Sequence, residues 1–315
     1  MKALSQSNSR RLAYQRGQVF VLTAIGLTAI CGVAGFAIDT ASWYQAHRKQ
    51  QAIADAAALA AADNLPTNTS QATSDAVAYA QKNGGSISGG NVTFSSKYST
   101  NDTVTVATQA TAPSYFLKTL GIGSASVGAT ATATAVPLGS PYGAAPFAVY
   151  YTQPELTGQG CGTPGSPCWG QPTTLDFGKV GPGGFEIINV DGSSGGTSTA
   201  VLESWIQDGC SCSTAAPVWL WGDPGAKFNS GNVGSALAAR VGSILLFPVY
   251  DQNQANGSNM QYHIIAFVGF KITGYQFNGS NNGKITGSFE HTSWQGTGAS
   301  TSPGAYSAVT IQLTG

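Results

Sequence analysis

The sequence predicts an α+β protein. It begins with a single N-terminal transmembrane helix that extends into a long amphipathic helix, and continues with a small antiparallel sheet and a disulfide-containing, β-rich α+β module. Three observations predict this class. Residues 17–38 carry no charge, and residues 39–65 contain no proline. Beyond Pro66, short stretches alternate apolar with polar residues. Four of the five cysteines follow residue 160, which favours disulfides in an oxidising compartment.

The uncharged run of 22 residues, 17–38, is long enough to cross a membrane as a helix. At a rise of 1.5 Å per residue it would span about 33 Å, which covers the hydrocarbon core. Asp39 closes the run, and the next residues are good helix formers. Pro66 ends the helix because its ring disfavours a helical residue before it. We therefore expect one helix over residues 17–65.

Basic residues predict the orientation of this helix. The N-terminal segment, residues 1–16, carries Lys2, Arg10, Arg11 and Arg16. The positive-inside rule places this segment in the cytoplasm, with the bulk of the chain outside a plasma membrane that it crosses once. A cleaved signal peptide is the alternative, but its apolar core is usually only about 7 to 15 residues long. We therefore favour a membrane anchor over a signal peptide.

A seam of mostly small residues follows the outer half of the helix at alternating spacings of three and four. Its members are Trp43, Ala46, Gln50, Ile53, Ala57, Ala60 and Asn64. The seam either covers the protein's own following domain, which we favour, or docks to another subunit. Within the apolar run, Ala24, Thr28 and Gly32 repeat every four residues, a spacing that lets two helix backbones approach closely. The helix-docking candidates are Ala24, Thr28, Gly32, Trp43, Ala46, Ile53, Ala57 and Ala60.

The helix carries three motifs in order: RGQ at residues 16–18, GFAID at 35–39 and QQAIADAAALA at 50–60. This arrangement resembles the N-terminal domain of TadE/TadG-like Flp pilus-assembly proteins. The resemblance implies a membrane-anchored, non-catalytic structural component of the tight-adherence apparatus. Its partners would be membrane lipid and other Tad/Flp pilus-assembly proteins, contacted through the helix. Prepilin processing is not expected, because Leu22 stands where the cleavage pattern requires a glutamate.

A small α+β, pilin-like domain is predicted over residues 66–136. A helix at 71–82, capped by Ser70, would end at Asn83 and Gly84. Alternating residues predict strands near 92–94, 104–106 and 127–135. A helical turn at 113–120 would be closed by Gly121. The segment 116–133 also resembles the part of TadE/TadG-like proteins that follows the anchor.

The segment VPLGSPYGAAP, residues 136–146, is rich in proline and glycine and predicts a domain boundary. It starts an extracytoplasmic β-rich module over residues 137–315. Strands are expected at 147–152, 185–190, 243–250, 262–275, 283–291 and 306–313, and helices at 199–207 and 233–241. The stretch 262–270 is the most apolar of these, so we expect it to be central in the sheet.

The disulfide candidates are Cys161, Cys168, Cys210 and Cys212. A bond between Cys210 and Cys212 is the least comfortable of the possible pairings, because only one residue separates them. We therefore favour cross-pairing between the Cys161/Cys168 loop and the Cys210/Cys212 loop. A zinc site is the alternative, but the spacing of the four cysteines is unusual for one. Cys31 is interpreted as a buried apolar thiol.

One short motif offers an enzymatic alternative. Residues 192–196 match G-x-S-x-G, with Ser194 as the nucleophile of a serine hydrolase. The downstream acids and bases are Asp223, Asp251, His263 and His291. A run of serine and glycine matches so short a pattern easily, so we favour a flexible strand-to-helix loop and a protein that is not an enzyme.

Composition limits the binding partners. With 14 basic and 14 acidic residues and only 9% charged residues, the chain offers no field that would attract nucleic acid. We expect neither a cofactor nor a metal. Residues 251–257 hint at a calcium loop, but Tyr262 stands where the bidentate glutamate should be. If the segment 219–221 is extended, Trp219 and Trp221 share one face, which leaves a glycan-binding adhesion protein as the alternative function.

Overall fold

A computed structural model of the protein describes residues 3–212, 214–223, 227–254, 259–277, 283–299 and 304–314, with side chains from Val19 onward. The helices are α1 (Ala3–Ala62), α2 (Thr69–Lys82), α3 (Pro154–Thr157), α4 (Thr199–Gln207) and α5 (Gly231–Arg240). The strands are β1 (Val92–Ser95), β2 (Thr103–Pro113), β3 (Ser124–Pro141), β4 (Phe147–Tyr150), β5 (Pro172–Phe177), β6 (Gly184–Ile187), β7 (Val218–Trp221), β8 (Ile244–Gln254), β9 (Gln261–Phe277), β10 (Gly283–Glu290), β11 (Gly296–Gly298) and β12 (Val309–Leu313). The predicted α+β class is confirmed.

The long helix is continuous through the apolar run and the seam, as predicted. It begins at Ala3, before the run, and its last α-helical residue is Ala62. The amides of Asn64 and Leu65 still bond to carbonyls of the preceding turn. The chain then turns into α2, whose N-cap is Asn68 and not the predicted Ser70, because the Asn68 side chain accepts from the Gln71 amide at 2.9 Å.

A helix-on-sheet unit forms around the outer half of α1. Strands β1, β2 and β3 form an antiparallel sheet, and β11 and β12 both pair with β3. Helices α1 and α2 pack on this sheet through small side chains, which allow close approach of the backbones. Buried members of this core are Ile53, Ala57, Ala61, Leu65, Ala72, Ala76, Ala80, Val104, Val106, Ala131 and Ala133.

The predicted linker at 136–146 is largely strand. β3 runs through Pro137 to Pro141, because the carbonyl of Pro137 still accepts from the Ala299 amide at 2.7 Å although its nitrogen cannot donate. The last strand, β12, was expected in the second module, yet it pairs with β3 over residues 133–137. Placing the domain division at residue 137 stays a proposal, and the helix-on-sheet unit takes its final strand from beyond that point.

The second module is a closed barrel of six strands. The strands are hydrogen-bonded in the order β10-β5-β6-β4-β8-β9, and pairing of β9 with β10 closes the barrel. Strand β7 pairs with the first part of β9, and β10 pairs with its last part. Strand β9 therefore pairs with three neighbours, which confirms its central place. Phenylalanines dominate the core of the barrel, and Phe147 packs edge-on against both Phe185 and Phe247. The list of predicted strands lacks β5, β7 and β11.

The cysteines pair within their own loops. Cys161 bonds to Cys168 and Cys210 bonds to Cys212, so the preferred cross-pairing is wrong. The first loop folds back on itself, with the Thr163 amide bonded to the Gly158 carbonyl and the Gly165 amide to the Thr157 carbonyl. Cys210 forms its backbone hydrogen bonds with a different segment: the Gly143 amide donates to the Cys210 carbonyl, and the Cys210 amide donates to the Ala144 carbonyl. Each loop therefore supplies both cysteines of its own disulfide. Cys31 is exposed in the structure and not buried as expected.

Candidate functional site

The candidate site is α1 together with the loop that packs beside it. Within the described part of the chain, α1 is the helix that is long and apolar enough to cross a membrane. Its large apolar residues Phe20, Ile30 and Val33 are exposed. Water would make such a surface costly, whereas lipid would not. The helix therefore suggests a membrane anchor.

The small residues of the apolar run lie on an open face. Ala24, Thr28 and Gly32 are all exposed, and apart from its chain neighbours and the adjacent helix backbone no atom lies within 4 Å of the position that a Cβ would take on Gly32. The Thr28 hydroxyl donates to the Ala24 carbonyl of its own helix at 2.8 Å. The face is thus available to another helix, and docking through it stays a prediction.

The outer seam is divided between buried and partly exposed positions. Ile53 and Ala57 are buried in the helix-on-sheet core, as the self-packing interpretation predicts. Trp43, Ala46 and Ala60 remain partly exposed. Docking of these three to another subunit stays a prediction, whereas docking through Ile53 or Ala57 would require the protein's own core to open.

Asp39 joins the end of the apolar run to the β2–β3 loop. Its carboxylate is fully buried and accepts hydrogen bonds from three successive amides: Tyr115 at 2.7 Å, Phe116 at 3.1 Å and Leu117 at 2.6 Å. These amides begin the 3-10 turn Leu117–Leu120, which Gly121 closes with a φ of 88°. A carboxylate satisfies the free amides at the start of such a turn. Asp39 is therefore a clamp between two segments that are far apart in sequence.

Phe116 reinforces this clamp one helical turn deeper. Its ring covers Gly35, and a Cβ on Gly35 would lie only 2.7 Å from Phe116 Cγ. Gly35 is buried, unlike the other residues of 19–38. Glycine is required here because the aromatic ring approaches the helix backbone directly. The predicted turn is confirmed over residues 117–120. Its attachment to α1 was missed, because the partners are 76 to 78 residues apart.

The residues of the hydrolase hypothesis are not brought together. Ser194 lies exposed in the loop between β6 and α4, and Asn189 holds that loop through the carbonyls of Ser193 and Gly195. Asp251 Oδ1 lies 2.7 Å from His263 Nδ1. His263 is on β9, where its ring packs against Trp219 of β7 and not against Ser194. The other two candidates are also engaged elsewhere, Asp223 with Lys227 and His291 beside Leu65. In the described hydrogen bonds, Ser194 is joined to none of these four residues.

Over the residues that it describes, the structure does not assemble a metal site or a calcium loop either. Among the described residues, no group of three or more histidine, cysteine or acidic side chains could hold a metal ion. Asp251 and Asn253 of the calcium-loop hint lie in β8, whereas Asn256 and Gly257 lie outside the described residues. Trp219 and Trp221 do occupy a strand, β7, and both are at least partly exposed.

One carboxyl group in the barrel was missed by the sequence analysis. Burial raises the pKa of Glu186 to about 7, partly opposed by a hydrogen bond with the Tyr262 side chain. Burial also raises the pKa of the neighbouring Tyr250 to about 12. These groups come from separate strands, so no local sequence pattern reveals the cluster.

Before any comparison is made, the fold defines a class of protein in which one long helix presents an exposed apolar surface over one part and packs in a helix-on-sheet core over the next. Residues 17–64 match the family model described as putative Flp pilus-assembly TadE/G-like. The match spans the apolar run, Asp39 and the seam, and it supports a role in Flp pilus assembly. Comparisons with curated proteins and with solved structures gave no match.

Proposed function

We propose that this protein is a non-catalytic, membrane-anchored structural component of Flp pilus assembly. One observation carries the proposal. A single uninterrupted helix presents an apolar, exposed surface over its first part and becomes the core of a folded domain over its second part. Any force or contact applied to the domain is therefore transmitted directly to the membrane segment.

The proposal places the chain in the plasma membrane as a single-pass protein. Residues 1–16 lie in the cytoplasm, and both sheets lie on the other side, where the two disulfides form. The Cys210–Cys212 and Cys161–Cys168 bonds are of the kind that an oxidising compartment retains. Nucleic acid is not a partner, because basic and acidic residues balance.

The orientation is tested with an added thiol. Leu59→Cys places a cysteine on the exposed side of α1 in the outer domain. In intact spheroplasts, a membrane-impermeant maleimide should label this variant, because the proposal places the domain outside. Labelling that requires lysis of the cells would overturn the orientation. The background is Cys31→Ala, since the other four cysteines are in disulfides.

The partners are other pilus-assembly proteins, contacted through the open face of Ala24, Thr28 and Gly32. Gly32→Leu should reduce co-purification of Flp pilus-assembly proteins from detergent extracts, because a bulky side chain separates the two helices. Gly26→Leu is the matched control. Gly26 also has no atom within 4 Å of its Cβ position, but the helical period places it on the opposite side of α1. Equal recovery from the two variants would contradict docking through this face.

The adhesion and hydrolase alternatives stay predictions. The partly exposed Trp219 and Trp221 fit a glycan-binding surface no better than an ordinary strand of an aromatic-rich barrel. Ser194 lacks a hydrogen-bonded base among the described contacts. No observation in the fold favours either alternative over the structural role.

A further inference from the structure

The segment 113–123, which consists of the last residue of β2 and the β2–β3 loop, exposes a concentration of apolar side chains. Tyr115 is 62% exposed, Phe116 49%, Leu120 77% and Ile122 49%. Side chains of this size are seldom exposed together in eleven consecutive residues of a water-soluble surface. The loop belongs to the helix-on-sheet unit, whose own core does not use these residues.

The position of the loop along α1 is fixed by two contacts. Asp39, directly after the apolar run, binds the amides of residues 115–117. Phe116 covers Gly35, which lies four residues inside the run. Four residues correspond to about 6 Å along a helix axis. If residues 17–38 lie in lipid, the ring of Phe116 is therefore at the depth of the membrane and not above it.

The charges around the loop agree with such a position. Lys118 is the only charged residue in 113–123, and its side chain is exposed. A lysine at this depth can extend its ammonium group to anionic headgroups while its stem stays in the apolar layer. The Asp39 carboxylate, which would otherwise oppose burial in lipid, is satisfied by the three amides.

Aromatic residues of α1 lie just beyond Asp39. Trp43 is partly exposed and Tyr44 is exposed, four and five residues beyond Asp39, which is about 6 to 8 Å along the helix axis. Tyrosine and tryptophan are enriched at membrane–water interfaces because their rings are apolar and their tips polar. These two residues would therefore lie at the headgroups, above the level that the contact with Gly35 gives to Phe116.

From these contacts we infer that the β2–β3 loop is a second membrane attachment, which inserts Tyr115, Phe116, Leu120 and Ile122 into the lipid interface beside the anchor helix. The inference rests on the proposed anchoring of α1. The occupant of this surface is lipid and not a protein, because the surface continues the exposed apolar surface of the helix at its membrane end. The loop fixes the depth and rotation of α1, and Asp39 transmits this constraint to the helix.

The test measures the surroundings of a spin label in phosphatidylethanolamine–phosphatidylglycerol vesicles that contain the full chain. Single cysteines replace Leu120, Ile122, Leu59 or Ile25 in a Cys31→Ala background. Oxygen, which concentrates in lipid, and a water-soluble nickel chelate then compete as relaxing agents. Leu59 is the matched water-facing leucine, because it is exposed on α1 about 30 Å beyond Asp39. Ile25 is the lipid-facing reference within the apolar run.

We expect the oxygen-to-nickel ratio at Leu120 and Ile122 to be severalfold higher than at Leu59 and to approach the ratio at Ile25. A ratio equal to that at Leu59 would overturn the inference while leaving the anchor intact. Labels at residues 120 and 122 that are shielded from both agents would also overturn it, because a protein would then cover the loop. A water-like ratio at Ile25 would remove the anchor itself, and the inference with it. Two loop positions guard against one variant that fails to fold.

Discussion

The two parts of α1 have the same secondary structure and opposite surroundings. In the part before Asp39, large apolar residues such as Phe20 and Val33 point away from the rest of the chain. In the part after Gln50, the buried residues are mostly alanines that contact α2 and the sheet. Lipid accommodates large side chains of any shape, whereas a close-packed core requires small side chains where two backbones approach each other. The size of the apolar residues therefore distinguishes the exposed part, which the proposed anchoring places in lipid, from the part that faces protein.

The largest effect is expected when the same substitution, isoleucine to alanine, is made in each part of α1. Ile53→Ala removes a buried side chain from the helix-on-sheet core and should lower the free energy of unfolding by about 2 to 5 kcal/mol. Ile25→Ala changes an exposed side chain in the apolar run and should alter it by less than about 0.5 kcal/mol. Urea unfolding in detergent micelles measures both. Similar losses from the two variants would show that the first part also packs against protein within the chain.

A smaller effect is expected at the border between the two parts. Asp39→Asn preserves the shape of the side chain but removes its charge, which weakens hydrogen bonds to three amides. The free energy of unfolding should fall, because an uncharged amide oxygen is a weaker acceptor than a carboxylate. The loss should appear as faster hydrogen exchange at residues 115–117. Asp55→Asn is the control, because in the described hydrogen bonds Asp55 accepts from one side chain, that of Gln51 in the same helix, at 2.8 Å. Unchanged exchange in Asp39→Asn would show that Phe116 holds the loop without the clamp.

The smallest effect concerns the outer end of α1, which is attached to the barrel. Burial holds the pKa of His291 below its ordinary value of 6.5, beside the Leu65 backbone and Asp63. The folded state therefore prefers the neutral ring, so the His291 contribution to stability is present above pH 6.5 and is lost as the pH falls below it. His291→Gln should weaken the fall in stability between pH 7 and pH 5.

This pH effect is measured as a difference between wild type and variant. Glu186 titrates in the same range with the opposite sign: its raised pKa of about 7 adds stability as the pH falls toward 4.5. Because both proteins retain Glu186, its contribution cancels in the difference. An identical pH dependence of the unfolding midpoint in the two proteins would contradict the role of His291. The first part of α1, residues 19–38, has no acidic, basic or histidine side chain, so no such dependence is expected there.

Local patterns predicted the local elements of the fold. The bounds of α4, residues 199–207, agree with the prediction because an N-cap serine precedes a helical apolar pattern. The turn at 117–120 and its closing glycine were also predicted from neighbours in sequence. In each case the interactions that define the element lie within a few residues of one another.

Elements defined by distant partners could not be predicted. Pro137 indicated a linker, but its carbonyl receives the Ala299 amide from across the sheet, and β3 continues. Likewise Asp39 reads in sequence only as the end of an apolar run, while its function as a clamp depends on amides 76 to 78 residues away. The cysteine pairing was wrong because the folded path of each loop, which a sequence spacing does not reveal, brings its own two cysteines together.

The pairing of β12 with β3 sets an order of events for the newly made chain. The barrel strands β4 to β10 lie between these two partners in sequence, so the sheet around α1 is begun early and completed late. Val309 and Ile311 reach the core of that sheet only after the whole barrel has been synthesised. Until then the second part of α1 has an incomplete cover. In the orientation proposed above, the barrel must also cross the bilayer before β12 can pair with β3, so its export would set the time at which the sheet is completed.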